Sequence, residues 1–112
     1  MVTLICGGRD FGDYSQFKEV MKNLPFTPDI IVQGGARGAD LLAKLWAKEN
    51  NIHCAEVPAL WQNGKSAGHA RNSAMLLLGI QYAVALPGGA GTKNMVQQLK
   101  AAGIPVWQPF YT

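Results

Sequence analysis

Short apolar runs alternate with longer amphipathic segments along the whole chain. The apolar runs have the length of buried strands, whereas the segments between them repeat their apolar residues at helical spacing. This pattern predicts strands at 2–6, 30–32, 52–57, 82–86 and 104–107. It predicts helices that begin after residue 13, after residue 40, at residue 66 or 67, and at residue 92.

Local signals support these boundaries. Asp13 and Gln16 have the spacing of a capping box at the start of the first helix, and Pro25 ends that helix. Gly79 is placed to end the third helix, and Thr92 is placed to cap the fourth. The chain is therefore expected to alternate strictly between strand and helix.

Strict alternation predicts an α/β fold with a parallel sheet. Right-handed crossovers favour a single Rossmann-like doubly wound domain over residues 1–112, with strand order 3-2-1-4-5 and helices on both faces. All loops that follow strands then open at the carboxyl edge of the sheet, where ligands of such folds bind. Cys6 and Cys54 fall on strands that are not neighbours, so we expect two buried, unpaired thiols.

Composition narrows the class of protein. Hydrophobic residues make up 48% of the 112 residues and charged residues 15%, which argues against disorder. The net charge of +3 suits an anionic ligand without forming the basic stripe that nucleic acids require. The longest apolar run, 74–80, is too short to span a membrane, and Met1 leads directly into a strand without a signal peptide's basic segment. We expect a cytoplasmic protein with no metal site and no required cofactor.

Three glycine-rich loops follow predicted strands and carry the candidate chemistry. The last of them, which begins at Pro87, stands between a strand and a helix. Glycine lets backbone approach a ligand closely, and the first amides of a helix carry partial positive charge. The amides of Gly88, Gly89, Gly91 and Thr92 are therefore predicted to hold a phosphate.

The loop after the first strand adds charged side chains. Gly7 and Gly8 precede Arg9, which would clamp a phosphate, and Asp10, which would accept from a ribose hydroxyl or fix Arg9. A tight turn with a surface Arg–Asp pair is the alternative.

The loop after the second strand repeats this logic. Gly34 and Gly35 precede Arg37 and Asp40. Asp40 either faces the ligand or stabilises the helix start as an early carboxylate.

The start of the third helix lies at the same edge of the predicted sheet. Arg71 would place a cation near the N-terminus of this helix, which is mildly unfavourable unless an anion lies nearby. Its position therefore predicts contact with a ligand. His69 and Asn72 flank Arg71, and His69 is either a ligand neighbour or a capping or solvated residue. Trp61 either stacks on a base or seals the preceding loop against the core.

Several of these segments together resemble a known superfamily. The run Gly-Gly-Ala-Arg-Gly-Ala-Asp at 34–40 resembles a motif of the DNA-processing protein DprA, and 87–92 is similar to the PGGxGTxxE motif of the LOG phosphoribohydrolases. Both groups belong to the SLOG superfamily of Rossmannoid nucleotide-binding domains. The chain as a whole is similar to the small YspA/YpsA-related SLOG proteins of bacteria and phages.

The resemblance implies three functions. SLOG sensor domains bind nucleotides or nucleotide-derived signals such as NAD or ADP-ribose derivatives. LOG enzymes cleave the N-glycosidic bond of nucleoside monophosphates, and DprA binds single-stranded DNA. Related SLOG domains assemble as dimers, so a homo-oligomer is expected, with Met75 and Leu76 as exposed apolar residues of the third helix.

The match to LOG is incomplete. His69 and Arg71 fit its His and Arg, but Asn72 replaces its Lys and Met95 its Glu. A thioether cannot exchange a proton, so binding or sensing is favoured over hydrolysis. Hydrolysis would need a different carboxylate, from Asp10 or Asp40, beside Arg71.

Taken together, the sequence predicts a ligand site for a nucleotide or nucleotide-derived phosphate compound. Its predicted residues are Gly7, Gly8, Arg9, Asp10, Gly34, Gly35, Arg37, Asp40, His69, Arg71, Asn72, Pro87, Gly88, Gly89, Gly91 and Thr92.

Overall fold

The computed structural model describes residues 1–60, 64 and 66–110, so the expectation for Trp61 lies outside the described residues. None of the helices in these ranges is long and apolar enough to cross a membrane. The elements alternate as predicted, with the third, fourth and fifth strands shorter than expected and the second one residue longer. They are β1 (Val2–Cys6), α1 (Tyr14–Lys22), β2 (Ile30–Gln33), α2 (Ala39–Glu49), β3 (His53–Glu56), α3 (Ala67–Leu76), β4 (Tyr82–Ala85), α4 (Ala90–Ala101) and β5 (Val106–Trp107).

The five strands form one parallel sheet in the order β3-β2-β1-β4-β5. This confirms the predicted α/β class and strand order. β1 lies at the centre, where Thr3 pairs with Ile31 on one side and with Tyr82 on the other. The chain reverses its direction of winding at this strand, so the loops after β1 and β4 diverge from a common edge.

Helices cover both faces of the sheet. Successive residues of a strand point to opposite faces, so Ile5 packs with Phe17 of α1 and Ala43 of α2. Leu4 packs on the other face with Met95 of α4. The sheet is thus buried on both sides, which explains why its strands are almost continuously apolar.

Three helix boundaries differ from the sequence expectation. α2 begins at Ala39, with Gly38 as its N-cap, instead of after residue 40. α4 begins at Ala90 and its N-cap is Gly89, so Thr92 lies in the first turn and is not the cap. α3 ends at Leu76, two residues earlier than predicted, and Gly79 follows in a left-handed conformation (φ 72°). The cap of α1 is confirmed, because the Asp13 carboxylate accepts from the Gln16 amide at 3.1 Å.

The expected apolar surface on α3 is also placed differently. Met75 is 2% exposed and packs in the core, and Leu76 packs against that core, so neither forms an open apolar surface. The exposed residues are the next two, Leu77 and Leu78. The reason is the early end of the helix, which turns these two leucines outward. The expected homo-oligomer stays a prediction.

The two cysteines are unpaired, as expected. Cys6 is buried, but Cys54 is only partly buried, which corrects the expectation for that thiol. β2 lies between the two strands that carry them, so the thiols are held apart.

Candidate functional site

A cavity of about 310 Å³ opens beside the carboxyl end of β1, and we call it the first cavity. All three glycine loops and the start of α3 contribute to its wall. Because the sheet is parallel, loops far apart in sequence meet at this edge. Ten of the residues predicted from sequence line it: Gly7, Gly8, Arg9, Gly34, Asp40, Arg71, Asn72, Gly89, Gly91 and Thr92.

The first turn of α4 contributes backbone amides to this cavity. Gly89, the N-cap, has no side chain to bond these amides. The first N–H groups of a helix have no partner within the helix and carry its partial positive charge. Gly89, Gly91 and Thr92 all line the cavity, so this end of α4 faces it.

Two of the predicted glycine amides are used by the protein itself. The Gly8 amide donates to the Pro87 carbonyl at 2.8 Å, and the Gly35 amide donates to Oε1 of Gln33. These two amides are therefore not open to a ligand. The Gly8 amide joins two loops, whereas the Gly35 amide is bound by the last residue of the strand that precedes its own loop.

The small size of Gly7 and Gly88 is explained by close packing between loops. A Cβ on Gly7 would lie 2.6 Å from the Cβ of Ala39, and a Cβ on Gly88 would lie 2.6 Å from the amide nitrogen of Gly8. Gly88 does not line the first cavity; it lines a separate surface depression beside α4. These glycines therefore allow the loops to approach one another.

Arg71 is held in place at the wall of the first cavity. Its Nη1 donates to the Gly34 carbonyl at 2.7 Å, and its Nε donates to Oδ1 of Asn72 at 3.0 Å. A Cβ on Gly34 would lie 2.7 Å from Cζ of Arg71, so a side chain at this position would displace the guanidinium. These contacts use two of the five N–H donors of an arginine.

Asn72 connects Arg71 to α4. It is 2% exposed, and its Nδ2 donates to the Gly91 carbonyl at 3.2 Å and to Oδ1 of Asn94 at 3.0 Å. The buried amide thus satisfies both its donors and its acceptor within the protein. Asn72 therefore fixes Arg71 and the first turn of α4, and it also lines the first cavity.

Asp40 is a buried carboxylate on the same wall. It lies in the first turn of α2, is 7% exposed, and accepts from the Ala36 amide at 3.2 Å. Burial raises the pKa of Asp40, while the amides of Ala36 and Gly34 and the charge of Arg71 oppose this effect. Asp40 thus lies in the first turn of α2 and also lines the cavity, a position compatible with both alternatives.

Six predicted residues do not line the first cavity; besides Pro87 and Gly88 they are Asp10, His69, Gly35 and Arg37. Asp10 is fully exposed and forms an ion pair with Arg37 across 3.7 Å. His69 is exposed, which fits its solvated alternative. Gly35 and Arg37 line a second cavity, of about 440 Å³, that shares Arg9, Gly34, Ala36 and Arg71 with the first.

Two polar residues escaped the sequence analysis. Gln33 is 1% exposed and donates to Oε1 of Glu56 at 3.0 Å, in addition to its bond with Gly35. A polar residue at the end of an apolar strand, directly before two glycines, predicts a side chain that supports the following loop. Asn94 gave no signal, because its partner Asn72 lies 22 positions away.

Comparison with known proteins fits this architecture. Residues 1–64 match the YspA, cpYpsA-related SLOG family. The chain belongs to this SLOG family. It is also 38% identical over 85 residues to the Gene 61 protein of Mycobacterium phage D29, a similarity that covers 69% of this chain and 68% of the phage protein. The resemblance recognised in the motifs is thereby confirmed.

Two further side chains bear on what this SLOG chain can do in its first cavity. Met95 is 1% exposed and lines the cavity, so the LOG glutamate position carries an apolar wall here. Cys6 also lines the cavity, and burial raises its pKa to about 12. Its thiol is therefore protonated and inert as a nucleophile. No group of His, Cys, Asp and Glu that could hold a metal occurs among the described residues.

Proposed function

We propose that this SLOG chain binds a nucleotide or a nucleotide-derived phosphate ligand in the first cavity. The observation that carries the proposal is that the uncapped first turn of α4 and the guanidinium of Arg71 line one cavity. A phosphate at this place would meet both a helix N-terminus and a fixed cation.

The two contributions favour a phosphate for different reasons. The orphan amides of Gly91 and Thr92 carry the partial positive charge of the helix and donate to no capping side chain. Arg71 is oriented by Gly34 and Asn72 and retains unused donors for a charge-assisted hydrogen bond.

The rest of the first cavity suits the nucleoside part of such a ligand. Ile5, Met75 and Met95 add apolar surface beside the polar groups. Small-molecule sites combine a mainly apolar wall with a few placed polar groups in about 300–1,000 Å³. The first cavity, at about 310 Å³, lies at the small end of that range.

Ligand-induced thermal stabilisation tests the proposal. Nucleoside mono- and diphosphates of the four bases should raise the melting temperature, since a ligand that binds only the folded state stabilises it. Arg71→Ala should weaken binding by about 1.5–3 kcal/mol, or roughly 10- to 150-fold, the value of a hydrogen bond to a charged group. Arg71→Gln provides a second variant with less loss of packing.

Lys48→Ala is the matched control. It removes the same charge from the exposed last turn of α2, at the opposite edge of the sheet. Its affinity for nucleotides should equal that of the parent chain. Equal loss in Arg71→Ala and Lys48→Ala, or no stabilisation by any nucleotide, would reject a phosphate site in the first cavity.

Hydrolysis of the bound nucleotide is the second candidate, and Asp40 is the observation that favours it. A buried carboxylate with a raised pKa on a cavity wall has the properties of a general acid. Incubation with nucleoside monophosphates should then release free base, and Asp40→Asn should abolish the release. In a protein that only binds, Asp40→Asn instead tightens binding, because the variant no longer places a negative charge beside the phosphate.

A further inference from the structure

The second cavity has an unusual concentration of arginine. The chain contains three arginines, Arg9, Arg37 and Arg71, and all three line this cavity. Its other described lining residues are glycine, alanine and proline, so none of them is acidic. Arginine offers planar, paired donors that match the oxygens of a phosphate.

Arg37 is only loosely engaged by the protein. Its contact with Asp10 spans 3.7 Å, and the two side chains are 74% and 100% exposed. Exposed ion pairs of this length contribute little, so a phosphate can replace the carboxylate at little cost. Arg37 lines only the second cavity, whereas Arg71 lines both cavities.

The two cavities are adjacent. They share Arg71 and the backbone at Gly34 and Ala36, and the Gly34 carbonyl fixes the guanidinium of Arg71 at this boundary. An anion at α4 and an anion at Arg37 would therefore lie on either side of one cation. A nucleoside monophosphate can neutralise only one of these positions.

We propose that the ligand bears a second phosphate group, which Arg37 binds in the second cavity. The inference rests on the proposed function and specifies its ligand as a nucleotide with two phosphates. Two arrangements share this chemistry: a pyrophosphate, and two phosphates on separate positions of the ribose. The test compares them directly.

Isothermal titration without divalent cations, at constant ionic strength, tests the inference. The probes are mono- and diphosphates of the four nucleosides, together with adenosine 3′,5′-bisphosphate. A two-phosphate ligand should bind at least about tenfold more tightly than its monophosphate, as one added charge-assisted contact provides. A preference between the diphosphate and the bisphosphate identifies the arrangement of the two groups.

Arg37→Ala should lower the affinity for the two-phosphate ligand to that for the monophosphate. The affinity for the monophosphate itself should change by less than about twofold. Lys48→Ala should change neither. Equal affinities for one and two phosphates in the parent chain would overturn the inference alone, as would an equal loss for both ligands in Arg37→Ala. Absence of binding by every probe would overturn the proposed function, and this inference with it.

Discussion

Arg71 donates from Nη1 to the carbonyl oxygen of Gly34, 2.7 Å away, although 37 positions separate the two residues in the chain. The contact joins α3 to the loop after β2. Asn72 extends this connection by bonding Nε of Arg71 on one side and the Gly91 carbonyl on the other. The cation, the second loop and the first turn of α4 are thereby held as one unit.

Removing the side chain at position 72 should loosen this unit. Asn72→Ala leaves the Gly91 carbonyl and Nε of Arg71 without a buried partner, which costs about 1–3 kcal/mol of unfolding free energy. Nucleotide affinity should fall as well, because Arg71 loses its orientation. Urea unfolding and titration measure the two effects.

Ser73→Ala serves as the control for this change. Ser73 is the next residue of α3, is exposed, and bonds the His69 carbonyl and Gln98. Its loss should cost under about 1 kcal/mol and leave affinity unchanged. If Asn72→Ala were as mild as Ser73→Ala in both measurements, the connecting role of Asn72 would be wrong.

Asp40→Asn should change how stability depends on pH. Burial raises the pKa of Asp40, so between the unfolded and folded values the unfolded chain binds fewer protons, and stability falls as pH rises. The variant cannot titrate there and keeps an oxygen that accepts from the Ala36 amide. The stability of Asp40→Asn relative to the parent should therefore grow as pH rises from about 4, the value for an unperturbed aspartate.

Urea unfolding of both proteins between pH 4 and pH 7 measures this difference. The difference in stability should level off above the pKa that Asp40 has in the folded protein, because the carboxyl group is then deprotonated in both states. Parallel stability curves across the range would show that the carboxylate bears no net desolvation cost.

Gly38→Ala should be more damaging than Gly79→Ala. Both residues have a positive φ, of 77° and 72°, so each alanine pays about 1–2 kcal/mol for the left-handed conformation. A Cβ on Gly38 would also lie 2.6 Å from the carbonyl carbon of Arg9, whereas Gly79 faces open space. Thermal unfolding should rank the parent first, Gly79→Ala second and Gly38→Ala last; equal losses would contradict the packing described between these loops.

Gly91→Ala should separate stability from binding. A Cβ there has no neighbour within 4 Å, and alanine in a helix is about 1 kcal/mol more favourable than glycine. The variant should therefore melt higher than the parent, while the added methyl group narrows the first cavity and lowers nucleotide affinity. Higher stability with unchanged affinity would show that the ligand does not approach this turn.

The order of the elements, the class of the fold and the edge at which the glycine loops meet were determined by the sequence. These features depend on local properties: the length of each apolar run, the glycines and prolines that end it, and the handedness of crossovers.

Only the tertiary structure decided which groups of the site remain open to a ligand. The Gly8 amide is taken by Pro87, Asp40 is buried, and Arg71 is fixed by Gly34, through contacts that no local pattern contains. Most buried polar groups of these loops must be hydrogen-bonded within the protein. Their partners lie in other loops, many positions away. The packing of those loops against one another therefore determines which donors face the cavity.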